Sequence, residues 1–362
     1  MNPQSLSQSR RDFTKTLALG AAGLAAGLPS VAQSQAARRN IKLGFDNFSV
    51  RAMKWKANEL IDYAAKLKTD SIFITDFGPF EKFDDAYLGD VRKRAADKGI
   101  QIVLGSWSIC PTSTAFKKDW GTAEEHLALG IRMAKTLGSP AFRVVLGRGE
   151  DRMTEGGIEA RIADTVKVLK SQRSKTIDAG VKIAVENHAG DMQAWELVTL
   201  IEAAGKDYVG ANIDSGNAAW TFEDPMENLE ILGPYVVASS LRDSAIWETP
   251  KGATVQWTAM GEGTVDFKAY IARFAELCPG VPVHIETISG FPREVNLYQK
   301  DFWAAWPKAR AKDLAKFMAL AKKGKAIPPH RSANNEAEQE YQRGEIERSI
   351  KYCREELGLG PA

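Results

Sequence analysis

Short runs of β-branched and apolar residues recur along the chain at Ile41–Phe48, Ser71–Asp76, Gln101–Trp107, Ala141–Gly147, Val181–His188, Tyr208–Asp214, Val236–Asp243 and Val281–Glu286, and each reads as a strand. Between them lie stretches with apolar residues at helical spacing, such as Ile158, Ile162, Val166 and Leu169. The helix before the fourth run ends in Leu137-Gly138-Ser139-Pro140, a glycine and then a proline that cannot continue it. Strand and helix alternating eight times predicts a (βα)8 TIM barrel rather than an open doubly wound sheet. No glycine-rich phosphate fingerprint follows the first run, which argues the same way. Beyond the eighth run come a helix around Lys308–Lys323, a break at Pro328-Pro329, and a polar helix from about Asn335 to Leu357. Tyr341, Ile346, Ile350, Cys353 and Leu357 share one face of that last helix. The expected organisation is a single barrel domain over 37–327 and a helical extension over 328–362, packed on the barrel exterior or on a partner subunit of a homo-oligomer.

The N-terminus breaks this pattern. Ser9-Arg10-Arg11-Asp12-Phe13-Thr14-Lys15 precedes an Ala, Gly and Leu run from Thr16 to Leu28, with small-residue cleavage candidates around Ala32 and Ala36. Residues 1–36 resemble a twin-arginine signal peptide, with Thr14 where Leu is more usual, so the expected location is the periplasm. The apolar run is shorter than the ~20 residues a bilayer span needs, and stable membrane insertion is not expected. The whole chain carries 48 basic and 46 acidic residues. Without the leader's Arg10, Arg11, Lys15 and Asp12 the balance is zero, which lends no support to a nucleic-acid partner. Three cysteines are too few for a disulfide framework, so the core must hold the fold.

Chemistry in a (βα)8 barrel is expected at the C-terminal ends of the strands. There the chain places Asp46 and Asn47, Asp76, Trp107, Arg143, Glu186-Asn187-His188, Asp214 with Asn217, Ser240 with Arg242 and Asp243, and Glu286. Alternation puts Glu186 on the face of Ala184, Asp214 on that of Asn212 and Gly210, and Glu286 on that of His284, an inward set near the mouth. Converging carboxylates repel one another, and a divalent cation is the commonest way to offset that. Arg143, inward in its strand, needs a site carboxylate or a substrate oxygen as partner. Trp107, Trp247 and Trp257 fall on the catalytic side, where stacking on a sugar ring competes with plain loop packing. Among the histidines, His126 reads as a surface residue, His284 as a hydrogen-bonded core residue, and His188 as ligand, substrate contact or structural. Cys110 lacks a placed histidine in sequence and is not read as a nucleophile.

Val185-Glu186-Asn187-His188, Val209-Gly210-Ala211-Asn212-Ile213-Asp214-Ser215-Gly216-Asn217, Leu241-Arg242-Asp243, Met260-Gly261-Glu262-Gly263 and Ile285-Glu286 occur in this order. With this spacing the chain resembles the xylose-isomerase-like barrels of the sugar isomerase and epimerase superfamily. The resemblance implies a divalent metal (Mn, Co, Zn or Mg) on a Glu, an Asp, a His and a Glu from the last four strands. Glu186, Asp214 and Glu286 match three of these; Ser240 stands where the pattern has His. It further implies an isomerase or epimerase of an unphosphorylated sugar, with Glu186 and Glu286 passing a proton through an enediolate. Trp107, Arg143, His188, Asn217 and Arg242 are the expected substrate contacts. Two alternatives stay open: a metal-dependent lyase or hydratase on oxidised glycosides, and a non-catalytic sugar-binding barrel that has lost its metal.

Overall fold

The computed structural model describes residues 39–361, so the leader read over 1–36 lies outside them. The eight expected runs become eight parallel strands: β1 (Leu43–Asp46), β2 (Ser71–Ile74), β3 (Gln101–Ser108), β4 (Ala141–Val145), β5 (Lys182–Glu186), β6 (Val209–Ile213), β7 (Val236–Ser239) and, after the intervening strands β8 (Asp243–Thr249) and β9 (Gly252–Thr258), β10 (Val283–Ile285). Their order, β10-β1-β2-β3-β4-β5-β6-β7, follows the chain around a ring. A bridge between Leu241 and Ile285 joins its two ends, with Leu241 N donating to His284 O at 2.7 Å and Glu286 N to Leu241 O at 2.9 Å. This is a TIM barrel.

Local chemistry sets the element ends. The helix Ala123–Leu137 starts in a capping box, Thr122 and Glu125 each bonding the other's backbone amide, and ends at Gly138 in the left-handed region (φ 74°). His126, expected at the surface, instead faces inward on this helix with Leu127, Gly130 and Ala134. It is buried, Nε2 lying 2.6 Å from Ser106 Oγ, because it stands one turn before Gly130 on the core stripe rather than on the stripe of Glu124.

Inside the barrel Phe73, Val103, Ala141, Ala184 and Ala238 form an apolar layer. His284 is fully buried near it, Nε2 3.0 Å from Ser71 Oγ and its ring beside Phe73. The main core lies between the strands and the surrounding helices. The last helix, Asn335–Glu355, joins that core through Ile346, Ile350 and Cys353, and Gln342 Oε1 accepts from Ala52 N at 2.9 Å. It thus occupies the outer ring beside β10 and β1 rather than standing apart.

The run expected as a strand to Asp243 stops at Ser239. From Asp243 the chain turns into a small antiparallel sheet, β8 (Asp243–Thr249), β9 (Gly252–Thr258) and β11 (Pro292–Val295), in the order β11-β9-β8. Asp243 anchors the turn: its carboxylate accepts from Gly261 N at 3.1 Å, Gly263 N at 2.9 Å and Ser244 N at 2.7 Å. A second core of Phe222, Val255, Val295, Trp306 and Phe317, the last from the helix Ala311–Ala321, packs beneath this sheet. Among the described residues no helix is long and apolar enough to cross a membrane.

Candidate active site

A cavity of about 450 Å³ opens at the C-terminal end of the barrel, with residues of β9, β11 and their flanking turns in its wall. Its floor carries the carboxylates that the sequence placed at the strand ends. Glu186, at the end of β5, accepts from Arg143 Nε at 2.5 Å and Asn212 Nδ2 at 2.8 Å on one oxygen, and from Asn217 Nδ2 at 3.2 Å on the other. Asp214 caps the short helix Ser215–Trp220, accepting from Gly216 N at 2.8 Å and Asn217 N at 2.9 Å through Oδ1. Its Oδ2 accepts from Asn217 Nδ2 at 2.7 Å and from Arg242 Nη2. That same Nη2 donates to Glu286 Oε2. Arg242, 2% exposed, therefore bridges Asp214 and Glu286, while Arg143 pairs with Glu186 and donates through Nη1 to Ser106 O at 2.7 Å.

Gly216 makes the Arg242 position available. A Cβ there would lie 2.3 Å from Arg242 Cγ and 2.7 Å from Trp257 Nε1. The Arg242 guanidinium then stacks on Trp257 (4.1 Å to the ring centroid), Trp257 stacks on Trp220 (4.0 Å, 7° between planes), and Trp220 carries Arg293 on its other side at 4.1 Å. Arg242 Nε and Nη1 are buried without a hydrogen-bond partner.

The floor groups titrate differently. Burial pushes Glu186 up, but Arg143, His188 and Arg242 outweigh it and hold the carboxyl below the usual range. Burial raises Glu286, Arg242 opposes the rise, and the charge of Glu186 adds to it, leaving Glu286 above its ordinary value. Asp214 is pushed by burial up to about 7 in spite of Arg242. Asp46, at the end of β1, is driven well above the carboxylate range by burial and then by Glu286, while bonded to Phe48 N and Thr75 Oγ1. His188 lines the cavity with Nδ1 2.8 Å from Gly147 O; a carbonyl only accepts, so Nδ1 holds the proton and Nε2 the lone pair. Burial lowers its pKa to about 4 and keeps the ring neutral.

Does this arrangement fit the metal that the resemblance implies? Every carboxylate of the three already receives a guanidinium, and Ser240, in the histidine position, has its hydroxyl 3.2 Å from Asn212 Nδ2. His284 lies below the floor against Ser71, and His188, held through Nδ1 by Gly147, presents its Nε2 lone pair to the cavity away from the Asp214–Arg242–Glu286 bridge. Among the described residues no group of three or more His, Cys, Asp and Glu is placed to hold a metal ion. As arranged, the set does not fit a resident divalent cation: the position between Asp214 and Glu286 is filled by Arg242.

Of the expected substrate contacts, Trp107, Arg143, His188, Asn217 and Arg242 all line the cavity, as do Glu186, Glu286 and Trp257; Asp214 lies behind Arg242 and Asn217. Trp247 instead sits in β8 opposite Thr254, outside the cavity wall, and Cys110 is buried elsewhere against Arg161 O. Sequence reasoning missed Trp220, Arg148, Phe291 and Arg293. Trp220 had a signal, since it ends the helix that Asp214 caps. Arg293 had none, because β11 reaches the mouth only by pairing with β9.

The comparisons fit this geometry. Residues 61–319 match the family described as xylose isomerase-like TIM barrel. A 3-oxo-isoapionate decarboxylase of Pectobacterium atrosepticum is 23% identical over 198 residues, which span 54% of this chain and 64% of that protein's length. Among solved structures, a D-psicose 3-epimerase crystallised in the presence of D-fructose aligns with a TM-score of 0.57 at 16% identity, covering 88% of this chain and all of that one. The IOLI protein with a bound zinc atom aligns at 0.53 and 17% identity, covering 79% of this chain and 100% of that one. The two structural likenesses speak for the fold alone; the family match covers most of the sequence, and the chain belongs to the xylose isomerase-like TIM barrel family.

Proposed function

We propose that this chain is a sugar-modifying enzyme that moves a proton at the carbon beside a carbonyl of an unphosphorylated sugar or sugar derivative, as an isomerase or epimerase. The observation that carries the reading is the Arg242 guanidinium bridging Asp214 and Glu286 at the cavity floor. Glu286 is the base: it is 6% exposed, bonded by a side chain only through Oε2, and raised in pKa by burial, which strengthens it as a proton acceptor. The enediolate formed when Glu286 takes the proton carries its negative charge on oxygen, and Arg143 and Arg242 are the fixed cations that face it. His188 Nε2 accepts from a substrate hydroxyl, and Trp107 offers a ring face to the sugar's C–H edges, while Trp257, covered by Arg242 and Trp220, holds the guanidinium in place. Glu186, saturated by donors, positions Arg143 rather than carrying the proton. The leader motif supports a periplasmic setting.

Similarity to a decarboxylase supports a second reading, a lyase. Loss of CO2 from a 3-oxo acid leaves the same kind of enolate, which the same two guanidiniums would neutralise and the protonated Glu286 would quench. Solvent-deuterium exchange separates the readings. Incubating keto-sugars with the protein in D2O should wash deuterium into the carbon beside the carbonyl, and the rate should survive chelation with metal content shown to be below stoichiometric. Exchange abolished by chelator and restored by one equivalent of Mn²⁺ or Zn²⁺ would return the reaction to a bound metal; CO2 release from a 3-oxo sugar acid, with no exchange into the keto-sugars, would favour the lyase.

A further inference from the structure

The outer end of the cavity has a charge arrangement unlike its floor. Arg143 and Arg242 are consumed by Glu186, Asp214 and Glu286, but Arg148 and Arg293, which also line the cavity, make no ion pair among the described residues. Aromatic faces hold them instead: Arg148 lies 5.2 Å from the Trp107 ring and Arg293 4.1 Å from that of Trp220. They converge. A Cβ on Gly190 would stand 3.1 Å from Arg293 Nη2 and one on Gly149, next in chain to Arg148, 3.5 Å from it. The β4 loop and β11 thus each bring a cation to the cavity wall; Asp151 is engaged by the Arg148 backbone amide, and Glu150 is the carboxylate that acts on Arg293. Burial depresses the Arg293 pKa, the response of a cation lacking a close counter-ion. A guanidinium stacked on an indole keeps its fork of N–H donors preset for a planar anion.

We infer that Arg148 and Arg293 form an anion subsite, and that the substrate is a sugar acid whose carboxylate rests there while its carbonyl end reaches Glu286. This rests on the proton-transfer reading for the inner end and adds the substrate class. The anchoring carboxylate is remote from the reacting carbon, so it contributes binding and orientation rather than chemistry.

Titration calorimetry of the mature chain with D-gluconate, D-galacturonate and 5-keto-D-gluconate, against D-glucose, D-fructose and D-fructose 6-phosphate, tests it. Sugar acids should bind at least about tenfold more tightly than the neutral sugars. Arg148→Gln and Arg293→Gln should each erase that preference, weakening acid binding far more than neutral-sugar binding, with the melting temperature held, and Arg293→Lys should keep part of it. Acid and neutral sugars behaving alike, or glutamine variants that still prefer acids, would overturn the subsite; tighter binding of the 6-phosphate would overturn the carboxylate assignment. Deuterium exchange on the same compounds is scored separately. Exchange without acid preference defeats the subsite alone, and acid preference without exchange defeats the proton-transfer reading alone.

Discussion

Glu186 and Glu286 stand on two sides of the same barrel mouth and look equivalent in sequence, each a glutamate ending an apolar strand. Their surroundings differ. Glu186 receives three side-chain donors on two oxygens and is held ionised below the normal carboxylate range. Glu286 receives one, from Arg242, and sits above that range. Similar burial gives opposite outcomes because the cationic neighbours of Glu186, Arg143 first, outweigh it, whereas at Glu286 the charge of Glu186 adds to it. Under the proposed function the symmetric pair that the resemblance implies, one glutamate removing a proton and the other returning it, becomes an anchor and a base.

The largest effect is expected where the two sides share a cation. Arg242→Ala leaves Asp214 and Glu286 buried with no guanidinium between them, which should cost about 3–5 kcal/mol in denaturant unfolding and abolish turnover. Ser240→His alone should gain no metal, because Arg242 still fills the place. The double variant Ser240→His with Arg242→Ala should bind close to one equivalent of Zn²⁺, read by elemental analysis. Metal uptake by the single variant would show that Arg242 yields its place readily.

The next effect breaks the pair itself. Glu286→Gln should lower kcat by about 10²–10⁴-fold with little change in melting temperature, the usual range for a lost general base. Glu186→Gln should do the reverse: a stability loss of roughly 1–3 kcal/mol from the orphaned Arg143, with kcat reduced less. Equal kcat losses in both would restore the symmetric pair.

What the sequence made legible is what alternation and spacing encode. The inward faces of the eight runs, read from residues such as Ala184 below Glu186, agree with the interior layer and with the residues lining the cavity. Three things were not legible. Arg143 could be expected to pair, but nothing local says that Arg242 turns toward Asp214 and Glu286 rather than toward substrate; that depends on the missing Cβ of Gly216, 26 positions earlier, and on Trp257. The strand ending at Ser239 runs on through Leu241, which still bridges to Ile285, and nothing in its sequence marks the turn at which Asp243 gathers the amides of Ser244, Gly261 and Gly263 and the chain enters the antiparallel sheet. The position of His126 was misjudged because its charged neighbours Glu124 and Glu125 lie on a different helical stripe. In each case the deciding contact is non-local, or a matter of helix phase rather than composition.

A smaller effect is expected at Gly216. In Gly216→Ala the new methyl must displace Arg242, so overpacking should cost about 1–3 kcal/mol. If the Arg242 position governs catalysis, kcat should fall well beyond what the stability change implies while Glu186 and Arg143 stay paired. A variant that is destabilised yet fully active would show that Arg242 need not stay on Trp257.

The finest test lies in the pH profile. A base works when deprotonated, so kcat/KM should fall as pH drops through the Glu286 value, and because that value is raised the acidic limb should lie above the ordinary glutamate position. His188 does not contribute a limb near neutrality, since its ring stays neutral down to about 4. The charge of Glu186 is one cause of the Glu286 rise, and Arg143, which Glu186 engages, is among the groups that oppose it. Glu186→Gln removes the first and frees the second, so both changes should move the limb of the residual activity downward, toward the ordinary range. A limb that stays where it was would mean that burial alone sets it, and a limb that disappears in the variant would mean that Glu186 and not Glu286 titrates in the reaction.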